Sequence, residues 1–371
     1  MTTLGYTPLT HRIAFASLQG MGVDLARKLL DVVGSEERFF AMGEKELRAL
    51  TRGRSKIYRD DYRHERLERA QREEAFVKEH NINAVYYTDE AYPHRLLEAP
   101  DAPVMFYSLG RCDLESAHVI SVVGTRHATQ YGIRFCDTLI GELSQRLPDL
   151  VVVSGLAYGI DIAAHRAALK HGVPTVAVLP RGLNRIYPAL HRNDAIAIAR
   201  NGGMLLTDYT SQDEVQKSNF LARNRIVAAL SDCTVIVESA GAGGALVTAS
   251  LAMSYNRDVM AVPGRCGDEF SVGCNKLIAT NKAALITCAD DLMAAMRWES
   301  AMPQPQQLNL FPELTKEEQA VVDVIRSHGE IHLNALADAL HQPVYKLMSV
   351  LVELDCKRII ATLPGCRYTV L

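Results

Sequence analysis

From Asn83 to Ile286, short β-rich runs alternate with stretches of helical periodicity, and this alternation constrains the fold more than any other feature of the chain. Strands separated by helices cannot pair as simple hairpins; each helix carries the chain back across the sheet, so that successive strands lie parallel. The segment opens with Asn83 to Tyr87 and a second apolar run around Pro103 to Tyr107. Further strands are expected at His118 to Val123, Leu150 to Ser154, Thr175 to Leu179, Met204 to Leu206, Cys233 to Val237, Asp258 to Val262 and Ala284 to Ile286. Helices are expected to begin near Thr129, Ile160, Pro188, Phe220, Ala245 and Cys274. Right-handed crossovers then fix an α/β class with a doubly wound parallel sheet.

Basic residues recur where these runs stop. Thr125-Arg126 follows the strand ending at Val123, Pro180-Arg181-Gly182 follows Leu179, and Arg265 follows Gly264. In an open parallel sheet, ligands sit outside the carboxyl ends of the strands, so these side chains are expected to converge on a polyanion. A further basic group, Lys217, Arg223 and Arg225, surrounds Phe220. Helical spacing through Ser231 sends Ile226, Ala229 and Leu230 to the core and places Arg223 and Asn224 in the first turn. Phosphate-tracking cations beside a ring able to stack on a base are what single-stranded nucleic acid requires. The competing reading makes Phe220 a core aromatic and its basic neighbours solvated.

Bulk composition neither supports nor excludes such binding. A formal net charge of -3 over 371 residues means that attraction to nucleic acid must come from local clustering. The 8 cysteines are scattered, without C-x-x-C or paired histidine spacing, and read as buried or free thiols in a reducing cytosol. No run is apolar enough to span a bilayer, and Met1 to Leu9 is too polar for a signal peptide, so a cytoplasmic protein without membrane contact is expected.

Two glycine turns join strands to helices. Gly155 to Gly159 lacks the G-x-G-x-x-G pattern, and the next strand ends in Leu179-Pro180-Arg181 where a dinucleotide site places an acid, which disfavours NAD. Glu238 to Thr248 resembles the glycine-rich turn of nucleotide phosphoribohydrolases of the lysine-decarboxylase-like group. That alternative, a nucleotide-binding hydrolase, loses its glutamate, since the following helix reads Ala249-Ser250-Leu251-Ala252. Metal-dependent cleavage of DNA would need a carboxylate cluster. Asp161, Asp208, Asp232 and Glu238 are available, yet each has a simpler role at a turn or helix start. No catalytic residue, metal ligand or cofactor is therefore assigned.

The flanks are helical. Before about Ala70, helical patterns surround Leu18-Gln19-Gly20-Met21-Gly22-Val23, a turn that fits a phosphate-binding helix-hairpin-helix or a plain helical corner. Arg52 to Arg72 mixes both signs of charge and reads as a solvated helix. Past a Pro/Gln-rich linker, Thr315 to Glu318 forms a capping box; three helices and two short strands around Pro364-Gly365 then make a winged-helix pattern. Its third helix offers only Lys346 before its end, so protein contact or packing competes with DNA contact.

Several stretches together resemble the DNA processing protein A (DprA or Smf) family. They are Val122-Val123-Gly124-Thr125-Arg126, Ser154 to Asp161, Phe220-x-x-Arg223-Asn224-Arg225-Ile226, Ala261 to Gly264, and the pairs Tyr92-Pro93 and Tyr187-Pro188. The resemblance covers nearly the whole chain. It implies an N-terminal helical domain of SAM or helix-hairpin-helix type (1–75), an extended Rossmann-like domain that binds single-stranded DNA (76–298), a linker (299–314) and a winged helix (315–371). It also implies a homodimer that protects incoming DNA, loads the RecA recombinase in natural transformation and displaces single-strand-binding protein.

In the same resemblance the phosphate-binding arginine falls on Arg126, the pocket lysine on Lys217 and the stacking aromatic on Phe220, with backbone amides near Gly124, Gly155 and Gly243. Where many members carry arginine, Ser-Gly-Ser and lysine, this chain has Tyr158, Gly243-Gly244-Ala245 and Ala189, with Arg192 nearby. The expected DNA-binding set is thus Gly124, Thr125, Arg126, Gly155, Arg181, Arg192, Lys217, Phe220, Arg223, Asn224, Arg225, Gly243 and Arg265. Within the linker, Gln307-Leu308-Asn309-Leu310-Phe311 looks like the peptide by which bacterial proteins dock on the replication sliding clamp, or a chance match in a Gln/Leu segment.

Overall fold

A computed structural model describes residues 5–299, 314–357 and 359–370. The chain forms two compact units, Met1–Ala301 and Met302–Leu371. The first opens with five helices, α1 (Pro8–Ala16), α2 (Val23–Val33), α3 (Glu36–Ala41), α4 (Glu44–Thr51) and α5 (Asp60–Glu79). The α1–α2 turn forms because Gly20 takes φ +74°, a left-handed conformation that glycine adopts without cost.

The α/β part follows as β1 (Asn83–Tyr86), α6 (His94–Leu97), β2 (Met105–Gly110), β3 (His118–Val123), α7 (Gln130–Arg146), β4 (Leu150–Ser154), α8 (Ile160–Lys170) and β5 (Thr175–Val178). It continues through α9 (Arg192–Arg200), β6 (Met204–Thr207), α10 (Lys217–Ala229), β7 (Cys233–Ile236), α11 (Gly244–Ser254), β8 (Asp258–Ala261), α12 (Val272–Ala279), β9 (Ala284–Leu285) and α13 (Ala289–Met296). The nine strands make one sheet in the order β1-β2-β6-β5-β4-β3-β7-β8-β9. From β6 to β9 every pairing is parallel, which is the expected doubly wound arrangement.

The edge differs from a uniformly parallel sheet: β1 and β2 pair antiparallel, and β2 joins β6 antiparallel. Between β1 and β2 lie Pro93, Pro100, Pro103 and a helix of 4 residues, too little to carry the chain across the sheet for a parallel return. Apolar patterning identifies both strands but carries no signal of direction.

Side chains of β3 alternate between faces. Ile120 and Val122 pack with Leu139, Ile140 and Ala164 of α7 and α8, while Val119 and Val123 belong to the cluster that includes Ile226 and Ala249 of α10 and α11. That second cluster continues without a break into Phe15, Phe39 and Leu67, so the N-terminal helices and the sheet share one core.

Helix α5 corrects the expectation of a simply solvated charged helix. Arg63, 3% exposed, donates to the carbonyls of Phe39 and Met42 and pairs with Asp60. Glu73 and Glu74 are also buried. Alternating charge revealed the helix but not which charges would find partners inside.

The second unit holds α14 (Lys316–His328), β10 (Ile331–His332), α15 (Leu333–Leu340), α16 (Val344–Cys356), β11 (Ile360–Leu363) and β12 (Arg367–Val370), with its strands in the order β10-β12-β11. The Thr315 hydroxyl accepts from the Glu318 amide at 3.2 Å and the Glu318 carboxylate accepts from the Thr315 amide at 2.8 Å, closing the capping box. Helix α16 leaves Tyr345, Met348 and Val352 exposed. The clamp-like peptide Gln307 to Phe311 lies outside the described residues. Among the described residues no helix is long and apolar enough to cross a membrane.

Candidate nucleic-acid interface

At the carboxyl edge of the sheet, the loop after β3 is held from both sides. The Thr125 amide donates to the Glu238 carbonyl at 2.7 Å, and the Thr125 carbonyl accepts from the Ile160 amide at 3.1 Å. Gly159 permits this contact, because a Cβ there would stand 2.1 Å from the Thr125 oxygen. Gly124 is equally a packing residue, pressed against Ile160 and the Glu238 carbonyl. The backbone of Gly124 and Thr125 therefore fixes the loop, and the exposed Arg126 side chain is left to reach outward.

Arg126 lies over the Phe220 ring, with its Cζ 5.5 Å from the centroid. Phe220 is half-buried, and Tyr187 meets it edge-on at 5.3 Å. These side chains, with Tyr158 and Pro188, line a small cleft of about 40 Å³ whose inner wall includes Gly155 and Arg223. Phe220 is thus neither a core aromatic nor a free surface ring; it forms a T-shaped pair with Tyr187 while the residue lines the cleft.

Arg223 is 3% exposed and donates to the Val178 carbonyl at 2.7 Å, and among the described residues its Nε has no partner. Gly155 makes room for it, since a Cβ at 155 would fall 1.8 Å from its Nη1. Burial lowers the Arg223 pKa, opposed by the field of Asp161; burial likewise raises the Asp161 pKa, opposed by Arg223 and Arg126. A buried guanidinium with spare hydrogen-bonding capacity thus backs the cleft where Arg126 stands.

Helix α10 begins at Lys217, earlier than expected, which moves Arg223 and Asn224 out of its first turn. Gln216 precedes the helix without a capping hydrogen bond, so the sequence carried no start signal there. No acidic residue lies in that first turn, and Lys217 is exposed one turn before Phe220. A lysine and uncapped amides at a helix N-terminus repel cations and receive anions.

The other expected residues scatter around this centre. Arg225 forms an ion pair with Asp208 and donates to the Asp101 carbonyl at 2.6 Å, so its guanidinium is committed elsewhere. Asn224 donates to the Gly244 carbonyl at 3.3 Å and links α10 to the turn of the exposed Gly243. Arg181 is half-buried, with an Nε that has no partner among the described residues, in the loop leading to Tyr187. Arg192 is exposed beside His191, whose ring meets Tyr158 edge-on at 4.9 Å. Arg265 lines a separate cavity with Tyr131 and Arg134.

Among the described residues no three His, Cys, Asp or Glu side chains gather as metal ligands. The four carboxylates considered from sequence are dispersed. Asp208 holds Arg225, Asp232 holds Arg95, Asp161 accepts from the Ala157 amide, and Glu238 accepts from the amide and hydroxyl of Thr129 at the start of α7.

A family model described as DNA recombination-mediator protein A matches residues 83–297. The chain belongs to that family. Protein Smf of Escherichia coli (strain K12) is 32% identical over 309 residues, which is 78% of each chain. The crystal structure of DNA processing protein A from Streptococcus pneumoniae superposes with a TM-score of 0.64 at 29% identity, covering 78% of this chain and 97% of that one. DNA processing protein A of Helicobacter pylori, a structure that reports a single-stranded DNA binding mode, superposes with a TM-score of 0.52 at 30% identity, over 58% of this chain and 95% of that one.

In the sequence Tyr158 stands out only as a departure from the family pattern and Tyr187 only as part of a motif, yet both line the cleft. Neither stands in a periodic pattern; their loops bring them together after folding. His127 and Phe270, far apart in sequence, stack at 6.1 Å beside the second cavity, and no local signal marks that pair.

Proposed function

We propose that this chain is a cytoplasmic, non-enzymatic recombination mediator that binds single-stranded DNA across the Arg126–Phe220 cleft. In this reading it protects incoming DNA and loads RecA on it during natural transformation or recombination. The observation that carries the reading is the Arg126 guanidinium over the half-buried Phe220 ring. A phosphate placed at Arg126 leaves its base within reach of the ring, and Lys217 at the open end of α10 serves the neighbouring phosphate. Family membership and the single-stranded DNA binding mode of the Helicobacter pylori relative support the same reading. The chain acts as a homodimer, exchanges with single-strand-binding protein, and docks on the sliding clamp through Gln307, Leu308, Leu310 and Phe311.

The rival reading, a nucleotide hydrolase, draws no support from the second glycine turn, where Glu238 is occupied in capping α7. Fluorescence anisotropy with labelled oligo-dT separates the two. Tight, salt-sensitive binding that a mononucleotide competes poorly against is expected. Arg126→Ala and Lys217→Ala should each flatten the salt slope by roughly 0.7, one phosphate contact on a single strand. Unchanged slopes in both variants would remove the site.

A further inference from the structure

The loop after β3 separates two cavities. Arg126 turns toward Phe220 on the β4–β5 side, and the next residue, His127, turns toward the β7–β8 side, where its ring stacks on Phe270 with planes 24° apart. Beyond that pair an open cavity of about 1000 Å³ lies over the carboxyl ends of β3, β7 and β8. This is the point where strand order reverses, since β3 is flanked by β4 on one side and β7 on the other.

Arg134 and Arg265 line this cavity with Phe270 and Tyr131. Both arginines are exposed, and neither forms an ion pair among the described residues. Tyr131 is 46% exposed and held by its hydroxyl, which donates to the Pro263 carbonyl at 3.1 Å. Cations and aromatic faces again stand together, as they do around Phe220.

A free nucleotide fits this cavity poorly. Its terminal phosphate would seek the first amides of α7, but the Thr129 amide already donates to the Glu238 carboxylate at 2.9 Å, and the Tyr131 and Gly132 amides donate to the Thr129 hydroxyl. A fixed negative charge thus occupies the place of a phosphate dianion. Asp268 and Glu269 on the same wall confine the positive field to the arginine pair. A phosphodiester, carrying one charge and needing no helix terminus, suits the arginines, and its base suits Phe270 and Tyr131.

We propose that this cavity is a second station for the same single strand, with phosphates at Arg134 and Arg265 and a base against Phe270, reached by crossing the Arg126–His127 ridge. It rests on the single-stranded DNA reading above. The test compares the full-length wild type with the double variant Arg134→Ser/Arg265→Ser and with Phe270→Leu, using oligo-dT of about 4 to about 16 nucleotides, the range of such sites. Thermal melts confirm that each variant is folded.

The shortest oligonucleotide should bind all proteins alike. Lengthening it should tighten wild-type binding by roughly tenfold or more, as expected of one added stacked base. The double variant should lose that gain and flatten the salt slope by roughly 1.4, two phosphate contacts. Equal affinity of wild type and variants for the longest oligonucleotide would overturn the second station while leaving the Arg126 cleft standing. Loss of dTMP binding in the double variant, with oligonucleotide binding intact, would overturn it in favour of a free-nucleotide site. If the wild type binds no oligonucleotide of any length, the underlying reading fails instead.

Discussion

Arg126 and Phe220 stand far apart in the α/β segment, the first in the loop after β3 and the second in the first half of α10, and they meet as a cation over a ring at 5.5 Å. The pair is held on both sides: the backbone of the β3 loop is bonded to Glu238 and Ile160, and the Phe220 ring is braced by the Tyr187 ring. Phe220→Leu keeps apolar bulk but removes the stacking face, so affinity for oligo-dT should fall by about 1–3 kcal/mol while the salt slope stays unchanged. Arg126→Lys should behave differently. It keeps the charge and hence the slope, but loses the planar, bidentate guanidinium that stands over the ring, and should bind less tightly than the wild type. Anisotropy across a salt series reads both effects.

Arg225 stands only two residues from Arg223, and the two are expected to fail in different ways. Its side chain is 20% exposed and that of Asp208 is 13%, so their ion pair is largely removed from water. Arg225→Ala would leave Asp208 without its partner. Stability should fall by somewhat less than the ~3–5 kcal/mol of a fully buried pair, read as a lower melting temperature, with no change in the salt slope of DNA binding. A flattened slope with an unchanged melting temperature would instead assign Arg225 to phosphate contact.

The sequence carried more of the sheet than of the site, for a physical reason. Strand runs such as His118 to Val123 announce themselves because burial on both faces demands continuous apolar residues. Arg126 was likewise legible, because the end of a parallel strand is a defined place in the fold. Direction at the sheet edge was not, since β1 and β2 would look the same either way. Arg223 and Arg225 both read as basic neighbours of an aromatic, yet one enters the cleft wall and the other locks onto Asp208; positions 200° apart on a helix face different partners that only tertiary packing supplies. Phe270 gave no signal at all, because its significance depends on His127, which lies more than a hundred residues earlier in the chain.

Glu73 links the N-terminal helices to the segment that leads into α10. It is 2% exposed, and its carboxylate accepts from the Ser211 amide at 2.9 Å and 3.0 Å and from the Ser211 hydroxyl. Arg69, one turn earlier on α5, adds an ion pair to Asp213 at 3.2 Å. The loop held in this way packs on Gly182, where a Cβ would stand 2.3 Å from the Thr210 carbonyl oxygen, so α5 also supports the loop that carries Arg181. Glu73→Ala strands the Ser211 donors and should cost about 1–3 kcal/mol. Burial raises the Glu73 pKa above its ordinary 4.5, opposed by the bonds from Ser211. Because the folded-state pKa lies above the unfolded one, ionisation of Glu73 works against folding. Its contribution to stability is therefore largest at acid pH and is lost as pH rises through the raised value. Glu73→Gln does not titrate, so the melting temperature of the wild type relative to this variant should rise as pH is lowered from neutral toward 4.5. A difference that stays constant, or that shrinks on acidification, would mean that Glu73 is not held as a buried, desolvated carboxylate against Ser211.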